Sequence, residues 1–517
     1  MSQQVAPVRD TSRPWRSRRA PVVVGKDILE LLSSSMYIEP MTIYREYIQN
    51  AADAIDEAHR LGCLKPGDPR KVQILIDNER RSVRIRDNGS GVTSSDFEER
   101  LTSFGASTKR GTSARGFRGV GRLAGLGYCQ ELIFRTRTED DTEVNEMRWD
   151  CRRIKSLLRT SEASLTLQEI VDSAVEVRTI SGKDWAERFF EVELRGLVRH
   201  KNDSLLNTVA IYDYLSEVAP VPFSPDFKFA GAISSLLATH VALGELNIEV
   251  EGIDFPVCRP HRNTLTAKGT EHDEFTEIEM HQLPSTDGGL GAVAWYLHHS
   301  YKGAIPDQRI KGLRLRSGNI QVGGHDLLQD QFTEARFNSW TVGEIHTVDR
   351  RIVPNGRRDH YEQNVHFHNL INHISPHARK ISSLCRQSSI RRNLLREFQR
   401  YETLARENLS VIKQGTLRAV DRTNIIREVE KQLHQMRRLV ARDLLPNDAK
   451  KSKANAIKRV EKELGRIRHQ DTPAKALSQF PNSKRKIYEQ VFALIYDCST
   501  NQANAHLLVD RILSKLA

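Results

Sequence analysis

The sequence predicts an α/β protein that finishes in a helical region. Three observations point to it. Apolar residues recur at helical spacing over 42–60 and are followed at once by two short β-rich runs; strand-like and helical runs then alternate as far as residue 375; and beyond Pro376 the composition turns to Leu, Arg, Lys, Gln and Glu with few β-branched residues. At 517 residues the chain is too long for one core, and at roughly 100 to 200 residues per domain about three are expected.

Residues 1–22 are polar and hold five Arg with Pro7 and Pro14, which reads as a flexible basic arm. Helices are expected over 27–36 and 42–60, the second ended by Gly62 and Pro66. KVQILID at 71–77 and SVRIR at 82–86 form a hairpin around the polar turn 78–81. Seven glycines between 88 and 122 are too many for the interior of a regular element and mark a mobile segment. Strand-like runs at 130–136, 174–179 and 189–194 and a helical stretch at 154–158 complete a two-layer α/β sandwich over 23–200. Val-Pro-Phe-Ser-Pro at 221–225 marks a break, and a second α/β domain over 201–375 includes GLRLRSGNIQV at 312–322. In 376–517, Leu409, Ile412, Val420, Ile425, Val429, Leu433, Met436 and Val440 trace one face of a long amphipathic helix, with Pro446, Pro473 and Pro481 dividing the region.

No run approaches the ~18 to 20 apolar residues that a bilayer crossing needs, and the Arg-studded start lacks an apolar h-region. The expectation is a protein that neither spans a membrane nor carries a signal peptide. The six cysteines are dispersed with no C-x-x-C pair, which argues against a zinc site or a disulfide framework and for a reducing, cytoplasmic setting. Charge is uneven. Residues 376–517 hold 30 Lys and Arg against 14 Asp and Glu, a surplus of 16, so the first 375 residues are acidic although the whole chain is +12. A basic tail region on an acidic body suggests a polyanionic partner for the tail.

Three motifs carry chemistry. On the helix YREYIQNAADAID at 44–56, Glu46, Asn50 and Asp53 fall within about 60° of one another, so two carboxylates and an amide converge. Ala51 and Ala52 let this helix pack closely on a sheet, so that the polar stripe lines a pocket; alone, such a stripe is as readily an ordinary solvated face. Next, Asp87-Asn88-Gly89-Ser90-Gly91 follows a strand: Asp87 can accept a hydrogen bond from an exocyclic amine, and Gly89 and Gly91 let backbone approach a flat ring. By itself that pattern is also a plain turn. Third, Gly116-Phe117-Arg118-Gly119-Val120-Gly121 leads into an apolar stretch and frees N–H groups to converge on phosphate oxygens. No G-x-x-x-x-G-K-[ST] is present, which excludes a P-loop nucleotidase.

In this order and spacing the three motifs resemble the Bergerat fold of the GHKL superfamily (gyrase, heat-shock chaperone, histidine kinase, MutL). Arg45-Glu46, TSFGASTK at 102–109 and the Gly-Phe-Arg-Gly-Val-Gly loop look most like the ninety-kilodalton heat-shock chaperones and their prokaryotic relatives, over roughly residues 27–375. The resemblance implies an N-terminal Bergerat domain, a transducer-like (ribosomal S5-like) α/β middle domain and a Mg²⁺-dependent ATPase. Within it Glu46 is the general base for the attacking water, Asn50 supplies an oxygen to Mg²⁺, Asp87 reads the adenine amine, Gly89 and Gly91 admit the ring, and Asp53 supports the pocket. Gly116, Phe117, Arg118, Gly119, Val120 and Gly121 cradle the phosphates, with Lys109 contributing from a lid over about 93–118. Val-Pro-Asn-Gly-Arg-Arg-Asp at 353–359 resembles the middle-domain catalytic loop, which makes Arg358 the group for the γ-phosphate, with Arg357 beside it and Lys311 as the alternative.

Two departures stand out. The family's Gly-Thr before its last first-domain strand has no counterpart in Ser181-Gly182-Lys183-Asp184, and 376–517 shows no likeness to the chaperone dimerisation domain. His366, His368, His373 and His377 cluster, but Pro376 is expected to interrupt their helix and no acidic or thiol ligand sits nearby, so packing histidines are the expectation. The function expected is an ATP-gated, dimeric chaperone-like clamp that passes nucleotide state to a protein client or effector partner. The alternative is a nucleic-acid-engaging clamp of MutL or microrchidia type gripping phosphates with 376–517, in genome maintenance or antiviral defence.

Overall fold

The computed structural model describes residues 39–103, 121–159, 166–268, 271–417, 419–442, 444–468 and 475–516. The expected basic arm and first helix lie outside them, as do Lys109 and the loop from Gly116 to Val120.

Helix α1 (Thr42–Leu61) forms where apolar residues repeat every three to four positions: Ile43, Tyr44, Tyr47, Ile48, Ala51, Ala52, Ile55 and Ala58 are all buried. It stops at Gly62, whose left-handed φ of 80° lets its N–H close on the His59 carbonyl. The buried face joins one core with a seven-stranded sheet made of β1 (Lys71–Asp77), β2 (Ser82–Asp87), β3 (Glu131–Arg137), β4 (Glu143–Asp150), β5 (Val175–Ser181), β6 (Phe189–Arg195) and β7 (Asn247–Val250), in the order β5-β4-β3-β6-β2-β1-β7. Every neighbouring pair is antiparallel except β1 with β7. The short helices α2 (Phe97–Thr102), α3 (Cys151–Arg159) and α4 (Leu167–Ala174) lie in its connections.

β4 was not visible in the sequence because its inward pattern is partly polar: Asn145 and Glu146 are buried. Glu146 belongs to a charge cluster in which Arg135 donates to Glu146 at 2.6 Å, Glu191 at 2.8 Å and Glu193 at 2.6 Å. A segment placed with the second domain by sequence contributes to the first core. Helix α5 (Thr208–Val218) buries Ile211 and Leu215 there, and β7 pairs with β1 from Lys71 opposite Asn247 to Ile74 opposite Val250.

A second sheet contains β10 (Glu277–Pro284), β11 (Leu290–His298), β12 (Gly312–Ser317), β13 (Ile320–Val322) and β14 (Val342–Thr347), in the order β10-β11-β14-β12-β13, beside a small hairpin of β8 (Thr264–Ala267) and β9 (Glu271–Glu274). Both faces are covered, and β11 shows how. Ala292, Ala294 and Tyr296 point to a core shared with α7 (Val365–Lys413), while Val293, Trp295 and Leu297 point to a core shared with α6 (Ala230–Ala238). Residues 308–310 form a turn, and β12 starts at Gly312.

Pro376 does not interrupt its helix. It lies inside α7, where Ile374 and Ala378 on either side are buried against the sheet, so packing outweighs the missing hydrogen bond. The distal half of α7 forms a three-helix bundle with α8 (Ala419–Ala441) and α9 (Asn447–Arg468) around Phe398, Leu409, Leu433, Met436, Val460 and Leu464. Pro446 directly precedes α9. A smaller cluster follows from α10 (Lys475–Ser478), α11 (Asn482–Cys498) and α12 (Gln502–Leu516). Among the described residues no helix is long and apolar enough to cross a membrane.

Candidate active site

The site begins on α1. Glu46 and Asp53 are both buried and Asn50 between them is half-buried, so the stripe faces protein rather than bulk water. The loop after β2 is laid across the same helix. Asp87 Oδ1 accepts the Gly89 N–H at 2.8 Å, and the Ser90 N–H donates to the Ala54 carbonyl at 3.0 Å. A Cβ at Gly89 would stand 2.6 Å from the Ala54 Cβ. Gly89→Ala is therefore expected to push the loop off the helix and cost about 1–3 kcal/mol; thermal unfolding of the variant measures it, and an unchanged midpoint would show that the loop is not held this way. Gly91 has a φ of 69°, and a Cβ there would lie 2.5 Å from the Arg137 carbonyl oxygen.

The residue following it, Val92, donates its N–H to Thr136 Oγ1 at 2.9 Å, and Thr136 donates in turn to the Phe189 carbonyl at 3.0 Å. Sheet register sets Asp87 and Thr136 opposite Phe190 from either side, which places all three on one face. A buried threonine of β3 thus lies on the same sheet face as Asp87, two strands away across Phe190, and ties down the loop that follows Asp87. No motif announces it, because it is a strand residue whose partner lies 44 positions away in sequence.

Glu46 is met from the second domain. The loop after β14 carries Arg358, whose φ of 56° is in the left-handed region. That conformation is held by a hydrogen bond from Arg358 N–H to the Asn355 carbonyl (3.2 Å), by Gly323 N–H donating to the Arg358 carbonyl (2.9 Å), and by Asn355 Nδ2 donating to Asp359 Oδ1 (2.6 Å). Arg358 Nε lies 4.0 Å from Glu46 Oε1, and Arg45 Nε lies 3.9 Å from the same oxygen. Arg45 also ties the two domains directly, donating to the Arg357 carbonyl at 2.8 Å and the Arg358 carbonyl at 3.4 Å. Burial pulls the Arg358 guanidinium below its ordinary range, with Glu46 and Asp53 acting in the opposite direction and Arg45 in the same one.

Glu46 Oε1 is buried and accepts no hydrogen bond from the described residues, and Gln49 Oε1 and Arg45 Nε are in the same condition. A Cβ built at Gly121 would run into the other Glu46 oxygen, so a larger residue there would displace the Glu46 side chain. One carboxylate oxygen is thus held next to two guanidinium groups with no hydrogen-bond donor among the described residues. Lys311 stands elsewhere, next to His325, whose imidazole is lowered by burial and then by Lys311. The histidines also separate: His366 meets Thr286 at 3.0 Å, whereas His377 packs on His281 and meets the Tyr296 hydroxyl at 3.2 Å. Sequence reasoning gave Arg45 and Gln49 no role, and also passed over Tyr214, which is half-buried on α5 and feels the charges of Arg45 and Glu46.

A helix that presents Glu46, Asn50 and Asp53 beneath the loop after β2, against a mostly antiparallel sheet, is the arrangement that the GHKL resemblance implies. The comparisons agree. Residues 38–176 match the family described as histidine kinase-, DNA gyrase B- and HSP90-like ATPase. The chain is similar to the chaperone protein HtpG of Geobacter metallireducens (25% identical over 228 residues, 40% of this chain and 34% of the relative) and of Nitrosomonas eutropha (27% over 200 residues, 35% and 30%). It is similar as well to HtpG of Anaplasma marginale, 32% identical over 125 residues, 22% of this chain and 19% of the relative. The N-terminal domain is accordingly GHKL and Hsp90-like, and each match spans about a third of the relative or less.

Proposed function

We propose that this protein hydrolyses ATP to ADP and phosphate with Mg²⁺ and acts as an ATP-gated, chaperone-like clamp in the cytoplasm. The single observation that carries the reading is the buried Glu46 oxygen, without a hydrogen-bond donor among the described residues, set beside Arg358, two residues 312 positions apart on different domains. In this reading Glu46 orients and deprotonates the attacking water, and Arg358 neutralises charge on the transferred oxygens. Asp87 accepts the adenine amine, with Gly89 and Gly91 giving the ring room, Thr136 holding the loop in place and Asp53 supporting the pocket. Asn50, half-buried one turn from Glu46, supplies a hard oxygen to Mg²⁺; the ion needs few protein ligands because phosphates and water fill its other positions. Bound there, the ion would shield phosphate charge. Lys109 and Gly116, Phe117, Arg118, Gly119, Val120 and Gly121 complete the phosphate cradle from the lid.

A homodimer is part of the proposal. What supports it is α11, where Ile487 (59% exposed), Val491 (44%) and Leu494 (60%) form an apolar stripe at spacings of four and three. The helix starts with Lys484 and Lys486 and ends with Asp497, all exposed, so two copies crossing antiparallel would set apolar on apolar and Lys484 by Asp497. Closure on ATP would pass through α7 to a protein client or effector.

Titration calorimetry with ATP and Mg²⁺ tests the reading at its base. Wild type should bind, and Asp87→Asn should lose at least about tenfold in affinity, the loss of a charge-assisted hydrogen bond. Equal affinity in the two proteins would end the assignment of this pocket to adenine.

A further inference from the structure

We propose that the outward face of α9 binds the phosphate backbone of double-stranded DNA without reading its sequence. This inference does not rest on the ATPase reading; it rests on how α9 distributes its side chains. Its apolar residues Ala456, Ile457, Val460, Leu464 and Ile467 are buried in the three-helix bundle. Both of its glutamates are paired with neighbouring helices: Glu461 with Arg437 of α8 at 2.6 Å and Glu463 with Lys413 of α7. Beyond Asp448 in the first turn, every exposed side chain except Ser452 and Asn455 is a Lys or Arg.

Five of these cations, Lys451, Lys458, Arg459, Lys462 and Arg466, fall within an arc of about 100° at ~100° per residue and run about 22 Å along the helix. The glutamates of α9 are thus neutralised by cations of α7 and α8, and its own Lys and Arg form a cationic strip facing water. At about 3.4 Å of rise per strand phosphate, that length faces roughly six phosphates.

The strip also says which polyanion fits. It exposes no apolar residue, so it cannot enter the acyl boundary as membrane-surface helices do, and it lacks the aliphatic or aromatic anchors on which protein interfaces depend. It carries no aromatic ring on which single-stranded bases could stack. Duplex RNA is held largely through its 2′-hydroxyls, which call for neutral polar groups, of which this face has two. Point charges in a straight row match the backbone of a DNA duplex.

The test uses the full chain and a short fluorescent DNA duplex of arbitrary sequence, with anisotropy read between about 50 and about 200 mM salt. Wild type should bind at the low end and lose about 10²–10³-fold in affinity across the range, as five neutralised phosphates require. The variant K451Q/K458Q/R459Q/K462Q/R466Q, in which Gln preserves helix propensity, should bind at least about 100-fold more weakly at low salt and show a nearly flat salt dependence. Circular dichroism establishes that it is folded; if it is not, K458Q/K462Q should lower the salt slope by about two. Failure of wild type to bind at low salt overturns the proposal. So does a folded variant with the wild-type slope. Displacement of the duplex by poly-glutamate or anionic vesicles as readily as by unlabelled DNA, or tighter binding of an RNA duplex, would transfer the face to another partner and equally refute it.

Discussion

Glu46→Gln is expected to lower ATP turnover by about 10²–10⁴-fold while leaving nucleotide affinity within a few-fold of wild type. The substitution keeps shape and hydrogen-bonding capacity but removes the anion that takes the proton of water. Glu46 is suited to that role by what surrounds it: burial, a neighbouring Arg on each side at 3.9 and 4.0 Å, and one oxygen without a partner among the described residues. Because Glu46→Gln also removes the charge that faces the buried Arg45 and Arg358 guanidinium groups, the variant should unfold at a lower temperature than wild type. Steady-state phosphate release together with calorimetry separates the two effects. Turnover that survives intact in Glu46→Gln would remove Glu46 from the chemistry, whatever the pocket binds.

Glu344→Gln should cause the largest loss of stability, about 3–5 kcal/mol, because it leaves two buried guanidinium groups facing a neutral amide. Glu344 is buried on β14 between Arg259, which is fully buried, and Arg316, whose Nε lies 2.7 Å from Glu344 Oε1. The two arginines spend their other donors on backbone and on one amide: Arg259 Nε on the Val221 carbonyl at 3.0 Å and Arg259 Nη2 on Asn319 Oδ1, Arg316 on the carbonyls of Asn319 at 3.0 Å and Glu217 at 2.6 Å. Glu217 lies at the end of α5, so this interior network also fastens the first domain to the second. Chemical denaturation should show a lower midpoint with an unchanged slope. An unaltered midpoint would mean that the arginines are compensated some other way.

The same network fixes how stability responds to acid. Burial alone would raise the Glu344 carboxyl, but Arg259 and Arg316 outweigh it and hold it well below the usual carboxylate range. Burial pushes the neighbouring His346 down to about 4 and His261 down to about 3. All three groups bind protons more readily in the unfolded chain. The histidines' contribution is therefore complete above about pH 6.5 and declines as pH falls towards 4 and 3, and that of Glu344 is complete above about 4.3 and declines below it. Wild type should lose thermal stability progressively from about pH 6.5 downwards.

Local periodicity made much of this molecule legible. Helix α1 and the hairpin of β1 and β2 could be read because one face of each is apolar and the other polar, and a period of 3.6 or 2 survives any environment. What misled the reading was burial of polar groups. β4 hides Asn145 and Glu146 inside, where Arg135 satisfies the glutamate, so alternation of apolar and polar residues does not mark it. Pro376 reads as a helix end, yet α7 continues through it because the sheet beneath supplies contacts that no local rule weighs.

Glu46, Asn50, Asp53, Asp87, Gly89 and Gly91 could be singled out as one candidate site from sequence, since they lie on one helix and one loop whose spacing is set by a few dozen residues of chain. Only the tertiary structure shows that Arg358 rather than Lys311 stands by Glu46, that Thr136 holds the loop after Asp87 through Val92, and that β7 adds an edge strand to the first sheet. The physical reason is distance along the chain: hydrogen-bonding patterns and amphipathic faces are local properties, whereas which faces meet depends on how separate cores dock.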